Sequence, residues 1–393
     1  MSKKVICIAG KSQVAVNAIN YISKIYSDEF EIVGLPNDND DGIDDWQPSF
    51  KKQLNQLSVD EINLEQLYEI KNLIFISLEF NKIIRPHKFN TNHLFNIHFS
   101  YLPAFKGMYT SALPLLNNEK YSGVTLHYIN KGIDTGEIIS QTKFVINNED
   151  DSLDLHTKYN YYAFNIFKNN IQRLVDNKFT SQPQAIENST YYSKNSIDYF
   201  NLKIDYNQTA EVIRNQIRAF AFRPYQLPEF NDTKIRFTKI TNISSVQKPK
   251  NIIYEDFFSY EIATIDYNII LYKDRLETIL EFIRNFENIK VKQFIDNCYP
   301  LNDKNKKGWD MLIVATYFGN KEIFELLIKN GANIKTSNYK KTNLLMYSLT
   351  PLEEKNDKYF FNKLIKLGLD VNKRDDDGNS TLDWVEKRKL NID

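Results

Sequence analysis

One segment of this chain returns at a fixed interval, and that restricts its fold more than any local propensity. Gly308-Trp309-Asp310-Met311-Leu312-Ile313-Val314-Ala315 recurs 33 residues on as Lys341-Thr342-Asn343-Leu344-Leu345-Met346-Tyr347-Ser348. A third copy, Gly378-Asn379-Ser380-Thr381-Leu382-Asp383-Trp384-Val385, follows after 37. Asn330-Gly331-Ala332-Asn333-Ile334 and Leu367-Gly368-Leu369-Asp370-Val371-Asn372 repeat with the same longer step. The additional residues fit a surface insertion around Thr350–Asn356, and helical stretches Lys321–Lys329 and Lys358–Lys366 lie between copies. A period of this length means one small unit copied. Each copy is too small to bury its own apolar face, so neighbours must stack. Residues 274–393 are therefore expected to form an all-α stack.

The interval of 33, with Lys329-Asn330-Gly331-Ala332, resembles the ankyrin repeat, although the Thr-Pro-Leu-His turn typical of that family is degraded here. The resemblance implies an N-terminal capping helix pair over Arg275–Asn297 and a truncated cap over Leu382–Leu390. Trp309 occupies the variable turn position, which in ankyrin repeats generally faces outward onto the binding surface. It is the candidate for a second small-ligand site, with packing inside the chain as the competing explanation.

The first half alternates strand and helix. Val5–Ala9, Glu31–Leu35 and Leu73–Leu78 are apolar, β-rich runs, separated by Val14–Ile25 and Ile62–Ile70 with helical periodicity. That alternation predicts a Rossmann-like α/β domain with a parallel sheet, over 1–185. Phe95–Ser100, Val124–Ile129 and Glu137–Val145 extend the sheet, and Asp154–Asn177 reads as a long amphipathic helix behind an acidic, Ser-bearing start. Residues 186–273 read as a small, mainly β subdomain. Its short strands are Thr190-Tyr191-Tyr192, Lys234–Ile243 and Ile262–Tyr272, with one helix, Gln208–Phe220.

Charge excludes several classes of partner. Lys+Arg 50 against Asp+Glu 50 leaves no global field to attract nucleic acid or anionic lipid. No apolar run approaches the ~20 residues of a membrane span. The start, Met1 to Gly10, resembles a buried first strand rather than a signal peptide, so a cytoplasmic location is expected. Cys7 and Cys298 make neither a disulfide framework nor a metal site. Asn37-Asp38-Asn39-Asp40-Asp41-Gly42 begins like a calcium loop, but Pro48 stands where the bidentate Glu is needed, so it reads as an acidic surface loop.

The densest polar constellation is Phe95-Asn96-Ile97-His98-Phe99-Ser100-Tyr101-Leu102-Pro103. On a strand, Asn96, His98 and Ser100 share one face near the end where an open α/β sheet places its site. Gly132-Ile133-Asp134-Thr135-Gly136 puts an acid between two glycines, in a loop able to approach a ligand closely. Together and in this order, these segments resemble the formyltransferases that use N10-formyltetrahydrofolate. The likeness covers about Val5 to Pro228 and includes Ser122-Gly123-Val124-Thr125-Leu126-His127-Tyr128 leading into the acidic loop.

The resemblance implies an Asn96–His98–Asp134 triad. His98 is the general base, Asn96 donates to the oxyanion, and Asp134 orients the imidazole and relays protons. It implies a cofactor pocket of Ser77, Leu78, Glu79, Phe80 and Asn81 with Asn130 and Lys131, and no metal. Met108-Tyr109-Thr110 and Arg218-Ala219-Phe220-Ala221-Phe222-Arg223-Pro224-Tyr225 look like the sugar formyltransferases. That likeness implies a dTDP-linked amino-dideoxy sugar as acceptor, the nearest resemblance being to the dTDP-3-amino-3,6-dideoxyglucose enzymes with an ankyrin tail. The 4-amino-4,6-dideoxyglucose enzymes are close neighbours. Met108, Tyr109, Thr110, Lys11, Arg223 and Tyr225 are the candidate substrate contacts. Lys11 with the first helix start meets pyrophosphate, and Tyr225 stacks on thymine. A homodimer is expected through Tyr254, Phe257, Phe258 and Tyr260. Two other readings compete: a binding protein whose first domain is inactive, and hydrolysis of the folate by water.

Overall fold

The computed structural model describes residues 3–392; Met1, Ser2 and Asp393 lie outside the described residues. The chain divides into two units, Met1–Glu255 with Tyr260–Tyr272, and Asp256–Ser259 with Lys273–Asp393.

The first unit begins with β1 (Lys4–Gly10), α1 (Ser12–Tyr26), β2 (Phe30–Pro36), α2 (Phe50–Leu57), β3 (Asp60–Glu61), α3 (Leu64–Tyr68), β4 (Leu73–Leu78) and β5 (Leu94–His98). Then come β6 (Lys106–Gly107), α4 (Leu113–Leu116), β7 (Tyr121–Tyr128), β8 (Ile138–Val145) and α5 (Ser152–Val175). The main sheet runs β3-β2-β1-β4-β5-β7-β8. Alternation along β1 shows why both faces are apolar: Ile6 and Ile8 join the core under α1 and α5, while Val5, Cys7 and Ala9 join the one built with Leu67, Phe75 and Phe89. β1, β2, β3, β4 and β5 pair in parallel as expected. β7 and β8 are antiparallel, because they form a hairpin whose loop, 129–137, carries Asp134. One helical expectation needs correction, and one helix is additional. The helix read over Ile62–Ile70 shrinks to α3, capped by Asn63 and Gln66, and α2 was not anticipated.

After α5, a segment containing β9 (Tyr191–Tyr192) pairs with β6. It leads to α6 (Ala210–Phe220) and a five-stranded sheet of β10 (Glu229–Phe230), β11 (Thr233–Ser244), β12 (Ile252–Glu255), β13 (Ser259–Ile262) and β14 (Tyr267–Lys273). The strand expected over Ile262–Tyr272 forms from Tyr267 onward as β14; its first part, 263–266, is instead the turn from β13, held by Asp266, which accepts from Tyr267 N at 2.8 Å and Thr264 Oγ1 at 2.9 Å. The interface expectation also changes. Tyr260 is buried against Phe230, and Phe258 packs edge-on to Phe294, which leaves Tyr254 and Phe257 exposed.

The second unit is helical: α7 (Leu276–Arg284), α8 (Asn288–Asp296), α9 (Met311–Phe318), α10 (Lys321–Lys329), α11 (Leu344–Lys355), α12 (Tyr359–Lys366) and α13 (Thr381–Lys387). The repeat has a local cause. Asp310, Asn343 and Ser380 occupy one position in the three copies, and each side chain accepts from a backbone N–H three residues on, capping α9, α11 and α13. The insertion at Thr350–Asn356 is not a surface loop. It lengthens α11 by about one turn, and Thr350, Pro351 and Leu352 are buried.

Among the described residues no helix is long and apolar enough to cross a membrane.

Candidate active site

β5 ends the parallel part of the sheet, and its partner β7 supplies what the motif alone does not. In their antiparallel register Asn96 faces His127 and His98 faces Thr125, so these four side chains share one surface. The loop after β7 returns Asp134 to that surface in a left-handed conformation, φ 52°. Asn96, His98 and Asp134 therefore come together as expected.

Asp134 Oδ1 accepts from Asn96 Nδ2 at 3.2 Å, and Oδ2 accepts from Gly107 N at 2.9 Å and lies 3.5 Å from His98 Nδ1. Burial pushes the Asp134 pKa upward. The neighbouring His98 and His127 rings and the Gly107 N–H outweigh burial and hold the carboxyl well below the usual range, so it is ionised at neutral pH. His98 Nε2 lies 2.8 Å from Phe105 O. Both nitrogens of His98 thus face acceptors, a carboxylate on one side and a carbonyl on the other. A neutral imidazole has one N–H to satisfy them, and the imidazolium has two. The carboxylate 3.5 Å from Nδ1 is the charge that an imidazolium formed in general base catalysis would face.

His127, which the motif does not include, joins this cluster. It is buried, its Nδ1–H donates to Tyr128 O at 2.7 Å, and its Nε2 lies 3.1 Å from Asn96 Nδ2 and 3.6 Å from Asp134 Oδ1. Both Asn96 amide hydrogens are then directed within the protein, one to His127 and one to Asp134. The oxyanion role expected of Asn96 requires that it release one of them. The two-residue alternation Thr125, His127 on the strand before the acidic loop was the available signal.

The other predicted residues separate into groups. Asn81 N donates to Asn37 Oδ1, and Asn37 Nδ2 donates to Glu79 O, both at 3.1 Å, so the loop after β4 is tied at each end while the Phe80 backbone between them is not. Ser77 pairs with Asn96 across β4 and β5. Leu78 is buried. Glu79 points away from this loop: its carboxylate accepts from Ser12 Oγ and lies 3.3 Å from His156 Nε2. Burial raises its pKa, but His156, Lys11 and Ser12 together lower it further. Asn130 accepts from Gly132 N and Thr135 Oγ1 and so shapes its own loop, on which Lys131 is exposed. Met108 is exposed, whereas the Tyr109 hydroxyl donates to Lys194 O and Thr110 O accepts from the buried Tyr159.

Glu79 also corrects the expectation for the first helix. The start of α1 is answered within the chain, since Asn160 Oδ1 accepts from Val14 N at 3.0 Å and the Glu79 carboxylate sits against Ser12. A pyrophosphate placed there would meet a carboxylate.

Tyr225 is 67% exposed; Phe222 stacks on it at 5.3 Å and Trp46 lies edge-on at 5.4 Å. Trp46 and His156, themselves 5.5 Å apart, extend this aromatic wall. Nothing in the acidic loop around Trp46 signalled it. That loop holds itself together: Asp40 accepts from Gly42 N, Ser49 Oγ and Lys51 N. No cluster of metal-binding side chains occurs among the described residues. In the second unit, half-buried Trp309 packs against Tyr317 at 5.3 Å and Tyr347 at 5.4 Å, an aromatic contact made inside the repeats.

Comparison with known proteins identifies related chains. Residues 6–170 match the formyl transferase family, and residues 283–375 match ankyrin repeats in three copies. The crystal structure of an N-formyltransferase from Helicobacter canadensis, in complex with folinic acid and dTDP-3-aminofucose, is 43% identical. The match covers 70% of this chain and 100% of that one, with a TM-score of 0.64. WlaRD, a sugar 3-N-formyltransferase solved with dTDP and 5-N-formyltetrahydrofolate, is also 43% identical over 70% of this chain and 98% of its own, with a TM-score of 0.65. This chain belongs to the sugar N-formyltransferases.

Among curated proteins, methionyl-tRNA formyltransferase of Staphylococcus epidermidis is 26% identical over 179 residues, 45% of this chain. The match spans 57% of that protein, so this chain corresponds to little more than half the length of such relatives. The formyl transferase match lies in the α/β part, and the ankyrin match lies in the helical unit.

Proposed function

We propose that this chain transfers a formyl group from N10-formyltetrahydrofolate to the amino group of a dTDP-linked amino-dideoxy sugar. The best candidate is dTDP-3-amino-3,6-dideoxyglucose, with the 4-amino-4,6-dideoxyglucose compound as the alternative. The observation that carries this reading is the convergence of Asn96, His98 and Asp134 at the end of β5. Support for a 3-amino group comes from the two relatives at 43% identity, whose descriptions name a 3-aminofucose ligand and a 3-N activity.

The residues fit the folate. The Phe80 backbone can read the edge of a pterin, and Ser77 stands beside Asn96. When bound, the folate supplies the formyl carbon. His98 takes the proton that the attacking amine must lose, Asp134, already ionised, stabilises the resulting imidazolium, and as the bond from the formyl carbon to the folate nitrogen breaks that proton is passed on to the leaving nitrogen. Asn96 turns its Asp134-directed N–H, the longer of its two contacts, toward the oxygen on which negative charge develops. Lys11 and Arg223 meet the diphosphate, and the open face of Tyr225 stacks on the base. A second copy of the chain is the expected partner, through the exposed Tyr254.

Tyr225→Ala is expected to raise KM for the nucleotide sugar roughly tenfold while leaving kcat within about twofold, because stacking of this kind is worth ~1–3 kcal/mol and acts before the chemical step. Steady-state kinetics checks this; a fall in kcat at unchanged KM would contradict it.

The test of the reading as a whole is a formylation assay across a panel of nucleotide amino sugars, including both C4 epimers of the 3-amino sugar, with products read by mass. Formate release without any acceptor would favour hydrolysis instead.

A further inference from the structure

The two groups that flank the His98 ring belong to residues with an uncommon backbone. Phe105, whose carbonyl faces Nε2, has φ 57°, and Asp134, whose carboxylate faces Nδ1, has φ 52°. Non-glycine residues in this left-handed region are under strain and stay there only when surrounding contacts hold them. In both cases the holding contact comes from one exposed segment, 181–192, between α5 and α6.

The segment first follows the acidic loop. Gln182 and Ile138 exchange backbone hydrogen bonds of 2.8 and 2.9 Å. Gln184 then donates its single side-chain amide to Asp134 O and Gly136 O, both at 2.8 Å, straddling the loop that carries the acid. The segment next crosses to the loop after His98. Thr190 Oγ1 accepts from Phe105 N at 2.7 Å, Lys106 N donates to Thr190 O at 2.9 Å, and Met108 N donates to Tyr192 O at 3.0 Å. The approach is close enough that a Cβ on Gly107, at φ 87°, would lie 2.2 Å from Tyr192 O. Gly107 is the residue whose N–H fixes Asp134 Oδ2.

We propose that segment 181–192 is a strap whose Gln184 and Thr190 act as positioning residues, setting the acceptors on either side of His98. Neither touches the reacting atoms. Each holds one loop, and together they fix the carboxylate–imidazole–carbonyl spacing. The proposal rests on formyl transfer being the activity of this site.

The test compares Thr190→Val, which removes the oxygen and keeps the shape, with Thr190→Ser, which restores the acceptor, and adds Gln184→Leu on the other loop. Thr190→Val and Gln184→Leu are each expected to lower kcat roughly 10- to 100-fold, the scale for a misplacement of about 1 Å, with KM for both substrates within about threefold. Thr190→Ser returns kcat to within about threefold of the parent. The chain has five histidines, so the 15N resonances of the His98 ring can be followed directly. They are expected to shift in Thr190→Val and Gln184→Leu and to return in Thr190→Ser. If Thr190→Val does not fold, Gln184→Leu carries both readouts. Unchanged kcat with unchanged ring resonances overturns the strap, as does a loss confined to KM. A parent protein that transfers no formyl group would instead refute the functional reading, and the ring resonances would still decide whether the strap sets the His98 environment.

Discussion

His98→Ala is expected to reduce formyl transfer by ~10²–10⁴-fold at saturating substrates, the range general base catalysis supplies. The loss falls on kcat rather than KM, because the proton moves only as the amine attacks. Asp134→Asn is expected to cost a comparable factor. It keeps the size of the side chain but removes the charge that opposes the imidazolium across 3.5 Å, and it places an amide where Gly107 N and Asn96 Nδ2 now donate to oxygen. Product formation read by mass, with single-turnover rates for the slow variants, checks both. Undiminished turnover at either position would favour the alternative in which the α/β domain is a catalytically silent scaffold.

Phe324→Ala is expected to destabilise the helical unit by ~3–5 kcal/mol, through lost burial and the cavity left behind. Phe324 lies in α10 with no exposed surface, and its ring meets Phe360 of α12 edge-on at 5.0 Å, so one residue joins two successive repeats. A short stack depends on nearest-neighbour contacts, and total stabilities of 5–15 kcal/mol leave little reserve for such a loss. Denaturant unfolding followed by the fluorescence of Trp309 and Trp384 measures it. Phe286→Ala, at a half-exposed ring, serves as the control and is expected to change stability by less than about 1 kcal/mol.

What could be read from the sequence follows from how local each determinant is. The repeat was legible because its cause lies within a few residues: a cap at Asp310, Asn343 and Ser380, and a glycine with positive φ closing each turn, as at Gly331 and Gly368. The triad was legible because Asn96 and His98 share a strand face and Asp134 sits in a glycine-flanked loop. His127 was not, because its role depends on which residue of β5 it faces, and register is a property of two strands. Trp46, Gln184 and Thr190 act from irregular segments across large sequence distances, where no periodicity marks them. The Thr350–Asn356 insertion was misread for a related reason: polar residues after a repeat look like a loop until the helix is seen to continue through Pro351. Pairing of β13 with β14 was hidden by the unbroken β-favouring composition from Ile262 to Tyr272.

The carboxylate of Glu79 at the head of α1 has a bearing on how the acceptor arrives. Many phosphate sites in α/β proteins offer a rigid crown of backbone donors. In this protein a carboxylate sits against Ser12 and the Asn160 amide oxygen takes up Val14 N, so on the proposed function a diphosphate would rely more on side-chain cations such as Lys11. Attraction of that kind is shielded by dissolved ions. Affinity for the nucleotide portion should accordingly weaken as ionic strength rises, while the rate of the chemical step stays nearly constant.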